Sequence, residues 1–211
     1  MSILNKYFEK IYIINLERRS DRWDECSVII NKHNIICERF NAVDGSTLTG
    51  YEASIKNDMG CTLSHLELVK KCKADNTKSV LILEDDFELV DDIFSHLENF
   101  YNQLPEDYEW LYFSGSHMED PIQVTENVYK VIKTLTTHAY ALKYPIYDKI
   151  IDALSDSAQS SAVDLRLSKI QPNEKCYVFI PHLIYQRNSF SDIQNKTVFY
   201  TQLKDASIKL K

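Results

Sequence analysis

Three consecutive carboxylates, Glu84, Asp85 and Asp86, follow directly on the apolar run 79–83 and are the residues best suited to chemistry. The run predicts a central strand, and ligands of open α/β sheets bind beyond the carboxyl ends of strands. Neighbouring carboxylates repel one another, which favours a divalent cation, and oxygen ligands suit Mn²⁺ or Mg²⁺. Glu84 and Asp86 share one side of an extended chain and are the predicted metal ligands. The alternative is a solvated acidic turn before a helix.

The glycines limit the ways in which this sequence can hold a phosphate. The chain has only four, namely Gly45, Gly50, Gly60 and Gly115. Their positions allow neither a G-x-x-x-x-G-K-[ST] nor a G-x-G-x-x-G loop. A nucleotide diphosphate would therefore need a metal and arginines, whose planar forks match phosphate oxygens. Arg18, Arg19 and Arg22 follow the first predicted strand, although Arg18 is better explained as an ordinary solvated charge.

The elements that must position these residues alternate along the chain. Apolar runs predict strands and amphipathic stretches predict helices, an order typical of an α/β domain. The predicted strands are 10–16, 35–42, 79–83, 109–113 and 176–180, with two more within 128–142. The predicted helices are 20–32, with Ser20 as the N-cap, and 62–73, 91–104 and 145–154. The tail from Pro181 has no clear periodicity and is expected either to fold over the site or to be partly mobile.

The amino-acid composition indicates an ordinary globular protein. The chain has 211 residues, of which 44% are hydrophobic and 26% charged, as in an ordinary globular domain. Its net charge of −7 argues against a nucleic-acid binder. The five cysteines are widely spaced without a C-x-x-C pair, which indicates reduced thiols rather than disulfides or a zinc site.

The sequence also bears on location. No signal peptide and no apolar run long enough to cross a bilayer are visible, so the predicted compartment is the cytoplasm. If a substrate of the protein is attached to a lipid, the protein is expected to make peripheral contact with the membrane surface from outside the bilayer.

Four segments stand out in this order along the chain, namely 14–22 (INLERRSDR), 42–45 (AVDG), 60–65 (GCTLSH) and 81–86 (LILEDD). Together they resemble glycosyltransferase family 25, in which the last segment is the family's version of the DxD motif. This family includes lipopolysaccharide-core and lipooligosaccharide galactosyltransferases and the related collagen β-galactosyltransferases. Weaker similarities lie at 137–142, 162–164, Gln186 and 191–193. The resemblance spans about residues 10 to 193, and the chain is shorter than expected for the family.

The resemblance implies a GT-A type fold, an α/β nucleotide-sugar-binding, Rossmann-like mixed sheet flanked by helices. The length suits one domain, or one domain with a small appendage. The predicted organisation is a single glycosyltransferase domain over residues 1–211, with a donor half at about 1–115 and an acceptor half at about 116–211. The implied reaction is an inverting transfer of a hexose, specifically galactose, from a UDP-sugar to a hydroxyl of a glycan or protein. The implied donor-binding residues are Asn15 and Arg19 near the nucleotide, Asp44 near the uridine or ribose, Ser64 and His65 in the donor pocket, and Asp85.

Inverting transfer needs a base that removes the proton of the acceptor hydroxyl. Asp164 is the candidate, because it follows the polar stretch 155–161 and matches the "VD" segment of the family. Its alternative role is a helix N-cap. Asp120 and Asp192 are weaker candidates for the base. His182 is a candidate further metal ligand, since histidine suits Mn²⁺ better than Mg²⁺.

Other interpretations remain open at this point. Asn15 could simply end a strand, Asp44 with Gly45 could form a turn, and His65 could be a buried histidine with satisfied hydrogen bonds. The whole chain could be a catalytically silent sugar- or protein-binding module on the same scaffold. A metal-dependent phosphohydrolase or receiver-type domain also places acidic pairs at strand ends, but it leaves the arginine-rich opening unexplained.

Overall fold

Helices and strands alternate through most of the chain. The computed structural model describes residues 2–156, 162–193 and 196–206. The described helices are α1 (Leu4–Tyr7), α2 (Ser20–His33), α3 (Lys56–Ala74), α4 (Ile93–Tyr101), α5 (Tyr147–Ser155), α6 (Val163–Ser168) and α7 (Thr201–Asp205). The strands are β1 (Lys10–Asn15), β2 (Glu38–Asn41), β3 (Ser79–Glu84), β4 (Phe87–Leu89), β5 (Trp110–Tyr112), β6 (Ser116–Glu119), β7 (Ile122–Gln123), β8 (Val128–Lys130), β9 (Lys133–Leu135), β10 (Ala139–Lys143), β11 (Cys176–Phe179), β12 (Ile184–Gln186), β13 (Ser189–Ser191) and β14 (Lys196–Val198).

An eight-stranded mixed sheet lies at the centre, in the order β2-β1-β3-β10-β5-β11-β8-β7. Strand β1 runs parallel to both β2 and β3, so the carboxyl ends of these three strands meet at one edge. Strand β10 is inserted between β3 and β5 and is antiparallel to both. The residues that precede β10 therefore arrive at the same edge as the residues that follow β3, which proves decisive for the site.

Both faces of the sheet are covered. Alternate residues of β3 point to opposite sides, so Leu81 and Leu83 join one apolar cluster while Val80 and Ile82 join the other. Helices α2 and α4 pack in the first cluster, and α3, α5 and α6 pack in the second. Because β3 is buried from both sides, it appears in the sequence as an unbroken apolar run. The predicted mixed sheet flanked by helices is confirmed.

The predicted elements are found with shifted ends. Helix α3 begins at Lys56, six residues before the predicted start at position 62, and runs through Gly60. The region 128–142 contains three strands rather than two, and β2 begins at Glu38. Helix α2 begins at Ser20, but Arg19 holds the N-cap position and no side chain caps the helix, so the predicted cap is wrong.

The cysteines and the described helices add two observations. All five cysteines are free thiols. Among the helices of the described residues, none combines the length and the apolar character that crossing a membrane requires.

The loop after β2 lies directly on the first turns of α3. A Cβ atom placed on Gly60 would lie 2.7 Å from both the Val43 carbonyl oxygen and the Gly45 nitrogen. A Cβ on Gly45 would lie 2.3 Å from the Lys56 carbonyl oxygen. These are backbone atoms that cannot rotate aside, so both positions need glycine for the close approach.

Gly60→Ala should destabilise the protein by about 2 kcal/mol, because the overpacking outweighs the gain of about 1 kcal/mol that alanine brings to a helix interior. Urea unfolding at equilibrium measures the change. Gly50→Ala is a useful comparison, because its Cβ would meet nothing within 4 Å and only the positive φ of 82° opposes it. If Gly60→Ala were more stable than the parent, the contact between loop and helix would not be as close as described.

Candidate functional site

A cavity of about 350 Å³ lies at the carboxyl ends of β1, β2 and β3. This volume falls in the range of small-molecule sites. Its other walls come from α3, from the β9–β10 connection with the start of α6, and from the C-terminal segment. The lining residues are 14–16, Arg18, Arg22, 42–45, 57–58, Cys61, 64–65, 84–86, 136–137, 162–164, Gln186, Ser189, 191–193 and Tyr200.

Most of the residues singled out in the sequence meet in this cavity. The predicted residues that line it are Asn15, Asp44, Ser64, His65, Glu84, Asp85, Asp86 and Asp164. Arg19 and His182 lie outside the lining formed by the described residues. Arg18, for which a solvated role was favoured, lies within it.

Arg22 neutralises part of the acidic cluster from within the protein. Its Nη2 lies 2.7 Å from Asp85 Oδ1 and 2.8 Å from Asp86 Oδ2, and its side chain is buried. The guanidinium of Arg22 lies between two of the carboxylates and so reduces the repulsion predicted among them. A buried charge with two such partners is well compensated, and removing Arg22 would leave two buried carboxylates without their cation.

Asp85 is half-buried and bonds the end of strand β1. Burial raises the pKa of Asp85 to about 6, and the nearby Asp86 adds to the rise, although Arg22 opposes it. Asn15, at the end of β1, donates from Nδ2 to Asp85 Oδ2 at 2.5 Å. Asn15 Oδ1 accepts in turn from Arg39, so Asn15 does more than end a strand.

The two carboxylate oxygens of Asp86 differ, because one has hydrogen-bond partners and the other has none among the described residues. Its Oδ2 accepts from Arg22 and from Gln186 Nε2, the latter at 2.9 Å. Its Oδ1 is buried, and within the described ranges it has no hydrogen-bond partner. A buried acceptor without a partner costs about 1–3 kcal/mol, so this oxygen points to a ligand.

Glu84 faces a different set of residues from Asp86. The Thr137 hydroxyl donates to Glu84 Oε1 at 2.6 Å, and His65 Nε2 lies 3.4 Å from the same oxygen. Burial by itself would raise the pKa of Glu84, but the His65 imidazole and the Thr137 hydroxyl hold it below its usual value. Glu84 is therefore a carboxylate in the folded protein.

Asp44 and Ser64 shape the wall between β2 and α3. Asp44 accepts from Ser46 N at 2.9 Å and caps a short 3₁₀ helix, Gly45–Thr47. Ser64 Oγ accepts from Val43 N at 2.8 Å and donates to the Gly60 carbonyl at 2.7 Å. These bonds fix the loop against the helix, so both residues have a structural task besides lining the cavity.

Arg18 and Arg19 hold the segment after β13 over the cavity. Arg18 Nη1 lies 2.9 Å from Asp192 Oδ1, and Arg19 pairs with the other oxygen of Asp192. Arg18 Nε also bonds Asp44 Oδ2 at 2.8 Å. Asn57 Nδ2 donates to the Asp192 carbonyl at 2.9 Å. The described part of the tail after Pro181 thus folds over the site, which was one of the two outcomes expected from the sequence.

Asp164 enters the cavity from the first turn of α6. Ala162 holds the N-cap position, so the alternative role of Asp164 as a cap is wrong. Its Oδ2 accepts from Thr136 N at 3.2 Å, and its Oδ1 accepts from Leu165 N at 2.8 Å. Thr136 has a φ of 72°, which is strained for a β-branched residue, and its buried Oγ1 has no partner in the described chain. Strain of this kind costs about 1–3 kcal/mol and is typical of functional sites.

His182 lies behind the site rather than in it. Its Nδ1 is 3.2 Å from Ser114 Oγ, and its backbone N–H donates to the Ala206 carbonyl just after α7. Burial lowers the pKa of His182 to about 4, so the imidazole is neutral. The structure gives His182 the role of anchoring the C-terminal helix and does not bring it to the acidic cluster.

Several residues that line the cavity were not predicted from the sequence. Thr136, Asn57 and Tyr200 carry no motif, and Cys61 was noted only as part of the 60–65 segment. The segments 137–142 and Gln186 were noted as weak similarities, and Thr137 and Gln186 turn out to bond Glu84 and Asp86. Asp120, a weaker candidate for the base, is exposed and lies outside the lining of the described residues, whereas Asp192 is paired with two arginines.

Comparison with known sequences identifies relatives over most of the chain. A family model described as "Glycosyltransferase family 25 (LPS biosynthesis protein)" matches residues 8–206. A glycosyltransferase 25 family member of Drosophila melanogaster is 28% identical over 133 residues, which is 53% of this chain and 22% of that protein. Procollagen galactosyltransferase 1 of Danio rerio is 24% identical over 134 residues, with the same shares of 53% and 22%.

A viral protein is similar over a longer stretch. A putative glycosyltransferase of Acanthamoeba polyphaga mimivirus is 27% identical over 149 residues, or 64% of this chain and 46% of that one. The chain thus spans about a fifth to a half of the length of these curated relatives.

Solved structures match with low identity. A glycosyltransferase involved in glycosylation of the major capsid of PBCV-1 has a TM-score of 0.44 and 9% identity, covering 76% of this chain and 73% of that one. UDP-glucose pyrophosphorylase complexed with UDP-glucose also has a TM-score of 0.44 and 9% identity, with coverage of 83% and 75%.

Proposed function

The chain belongs to glycosyltransferase family 25, and we propose that it transfers galactose from UDP-galactose to a hydroxyl of a glycan or protein, with inversion and with a divalent cation. The observation that carries the proposal is the cavity at the strand ends. Asp86 lines this cavity, and its buried Oδ1 has no hydrogen-bond partner among the described residues. The names of the animal relatives, which include procollagen galactosyltransferases, support galactose as the sugar.

The donor set of the cavity fits a cation. Asp86 Oδ1 is a buried acceptor that an ion would satisfy, and Glu84 is a carboxylate at the adjoining end of β3. Carboxylate oxygens suit Mn²⁺ and Mg²⁺, and these two residues would hold the ion. A bound cation would supply Lewis-acid stabilisation of the charge that grows on the leaving diphosphate.

The remaining donor-binding roles fall to side chains around the acidic cluster. We assign Asn15, Asp44, Ser64, His65 and Asp85 to the nucleotide-sugar side of the cavity, as the family resemblance implied. Arg18 joins them, because its guanidinium lines the cavity while Arg19 does not. Arg18 would have to exchange a carboxylate partner for a phosphate, which its planar fork allows.

Asp164 is the proposed base. It comes from α6, on a segment separate from Glu84 and Asp86, so it is not committed to the cation. Two backbone N–H groups fix its carboxylate at the cavity wall. There it would take the proton from the acceptor hydroxyl as the oxygen attacks the anomeric carbon. The donor half, about 1–115, and the acceptor half, about 116–211, would meet in this cavity, which both halves line.

Measuring UDP release tests the proposal. The purified chain would be incubated with Mn²⁺ and UDP-galactose, UDP-glucose or UDP-N-acetylglucosamine, with simple glycosides and a collagen-like peptide as acceptors. We expect acceptor-dependent release with UDP-galactose, and NMR of the product should show a β-linkage from the α-linked donor. Binding of UDP-galactose without turnover on any acceptor would favour the silent binding module. Failure to bind any UDP-sugar would overturn the enzyme proposal.

A further inference from the structure

Cys61, His65 and Glu84 bring a sulfur, a nitrogen and an oxygen together on one wall of the cavity. One potential ligand atom from each residue lies within 4.8 Å of the other two. Cys61 and His65 are four residues apart on α3 and therefore share a face of the helix. Glu84 ends β3 and reaches the same point. The family resemblance gave no role to the thiol.

One ring nitrogen of His65 is fixed by a hydrogen bond, and the other is available to bind a metal. Its side chain is 1% exposed, and its Nδ1 bonds the Tyr140 hydroxyl at 2.8 Å. Its Nε2 faces Glu84 Oε1 at 3.4 Å and, in the part of the chain that the structure describes, has no hydrogen-bond partner. Metal-bound histidines are commonly held in this way, with one nitrogen fixed by a second residue and the other on the ion.

We propose that Cys61 Sγ, His65 Nε2 and the Glu84 carboxylate form a binding site for a thiophilic transition metal, with Zn²⁺ as the best fit. Sulfur and imidazole ligands favour Zn²⁺ strongly over Mg²⁺, and three protein ligands leave a fourth position open to the cavity. The metal would displace the thiol proton of Cys61 into solvent as it binds. This site shares Glu84 with the proposed oxygen-ligand pair Glu84 and Asp86, and it differs from the expectation that the cysteines are plain reduced thiols.

The site has a consequence that rests on the proposed function. Glu84 cannot serve two ions fully, so Zn²⁺ on Cys61 and His65 would withdraw it from the cation that assists transfer. Zn²⁺ should then inhibit Mn²⁺-dependent UDP release, and added Mn²⁺ should relieve the inhibition. Zn²⁺ binding without inhibition would remove this link while leaving the site itself in place.

Titration of the full chain with Zn²⁺, in the presence of a phosphine reductant, tests the site without any need for activity. We expect one tight equivalent, and Cys61→Ser should weaken it at least about 100-fold through loss of a ligand. Cys37→Ser is the matched control, because Cys37 is a partly buried thiol outside the cavity and should leave the affinity within about twofold.

Co²⁺ gives a second readout, and its first result, the absorption of the parent protein, needs no variant. Cobalt bound by Cys61 should show thiolate-to-metal charge-transfer absorption in the parent and in Cys37→Ser, and lose it in Cys61→Ser. His65→Gln should weaken Co²⁺ binding as well. Absence of the thiolate band in the parent, or equal bands in both cysteine variants, would overturn the proposal.

Discussion

Asp86→Asn should lower the rate of galactose transfer by about 10³-fold, equal to about 4 kcal/mol of transition-state stabilisation. The substitution keeps the size of the side chain but removes the charge of the oxygen that lacks a partner, so a cation loses its main ligand. Arg22 keeps Asp85 as a partner, and the fold should survive. UDP release from UDP-galactose at saturating Mn²⁺ measures the effect.

Asp91→Asn is the control for Asp86→Asn. Asp91 is an exposed carboxylate that follows β4, and its loss changes the net charge by the same amount. We expect it to retain the parent rate within about twofold. Full activity of Asp86→Asn, at any Mn²⁺ concentration, would show that the cation is not held at this position.

Asp164→Asn should lower kcat by about 10²- to 10⁴-fold, the usual contribution of a general base. The KM for UDP-galactose should change little, because Asp164 is proposed to act on the acceptor and not on the donor. The amide oxygen can still accept from Thr136 N–H, so the loop before β10 should stay in place. Steady-state kinetics with varied donor and acceptor separate the two parameters.

Asp120→Asn provides the comparison, since Asp120 is exposed and was a rival candidate. It should leave kcat unchanged. A large rise in the donor KM with little loss of kcat in Asp164→Asn would assign this residue to donor binding instead, and the base would have to be sought among the other lining residues.

Part of the cavity lining could be predicted from the sequence, because Glu84, Asp85 and Asp86 end or follow the buried strand β3. Asn15 and Glu84 are the last residues of β1 and β3, and Asp44 lies three residues after the end of β2. Long apolar runs are the clearest signal in a sequence, and parallel strands bring their carboxyl ends to one edge. That geometry predicted the place of the acidic cluster, whereas Asn15 and Asp44 were assigned to the site through the family resemblance.

The rest of the site depends on pairings that local patterns do not contain. Thr136 and Thr137 come before a strand and reach the cavity only because β10 runs antiparallel to β3. Strand direction is set by the tertiary fold, so no local pattern reveals it. The pairing of Arg22 with Asp86 likewise joins a helix to a turn far along the chain. Very short elements near the C-terminus, such as β12 with Gln186, have too few residues for a periodicity.

The buried guanidinium of Arg22 lowers the affinity of the empty cavity for a cation. Glu84, Asp85 and Asp86 together with one guanidinium leave a net charge of about −2 instead of −3, so Arg22 weakens the attraction of the bare protein for a dication. If the proposed diphosphate donor binds beside the cation, its negative charge adds to this attraction, and each ligand should strengthen the binding of the other. Thermodynamic reciprocity requires the two enhancements to be equal, so the factor by which Mn²⁺ tightens UDP must match the factor by which UDP tightens Mn²⁺.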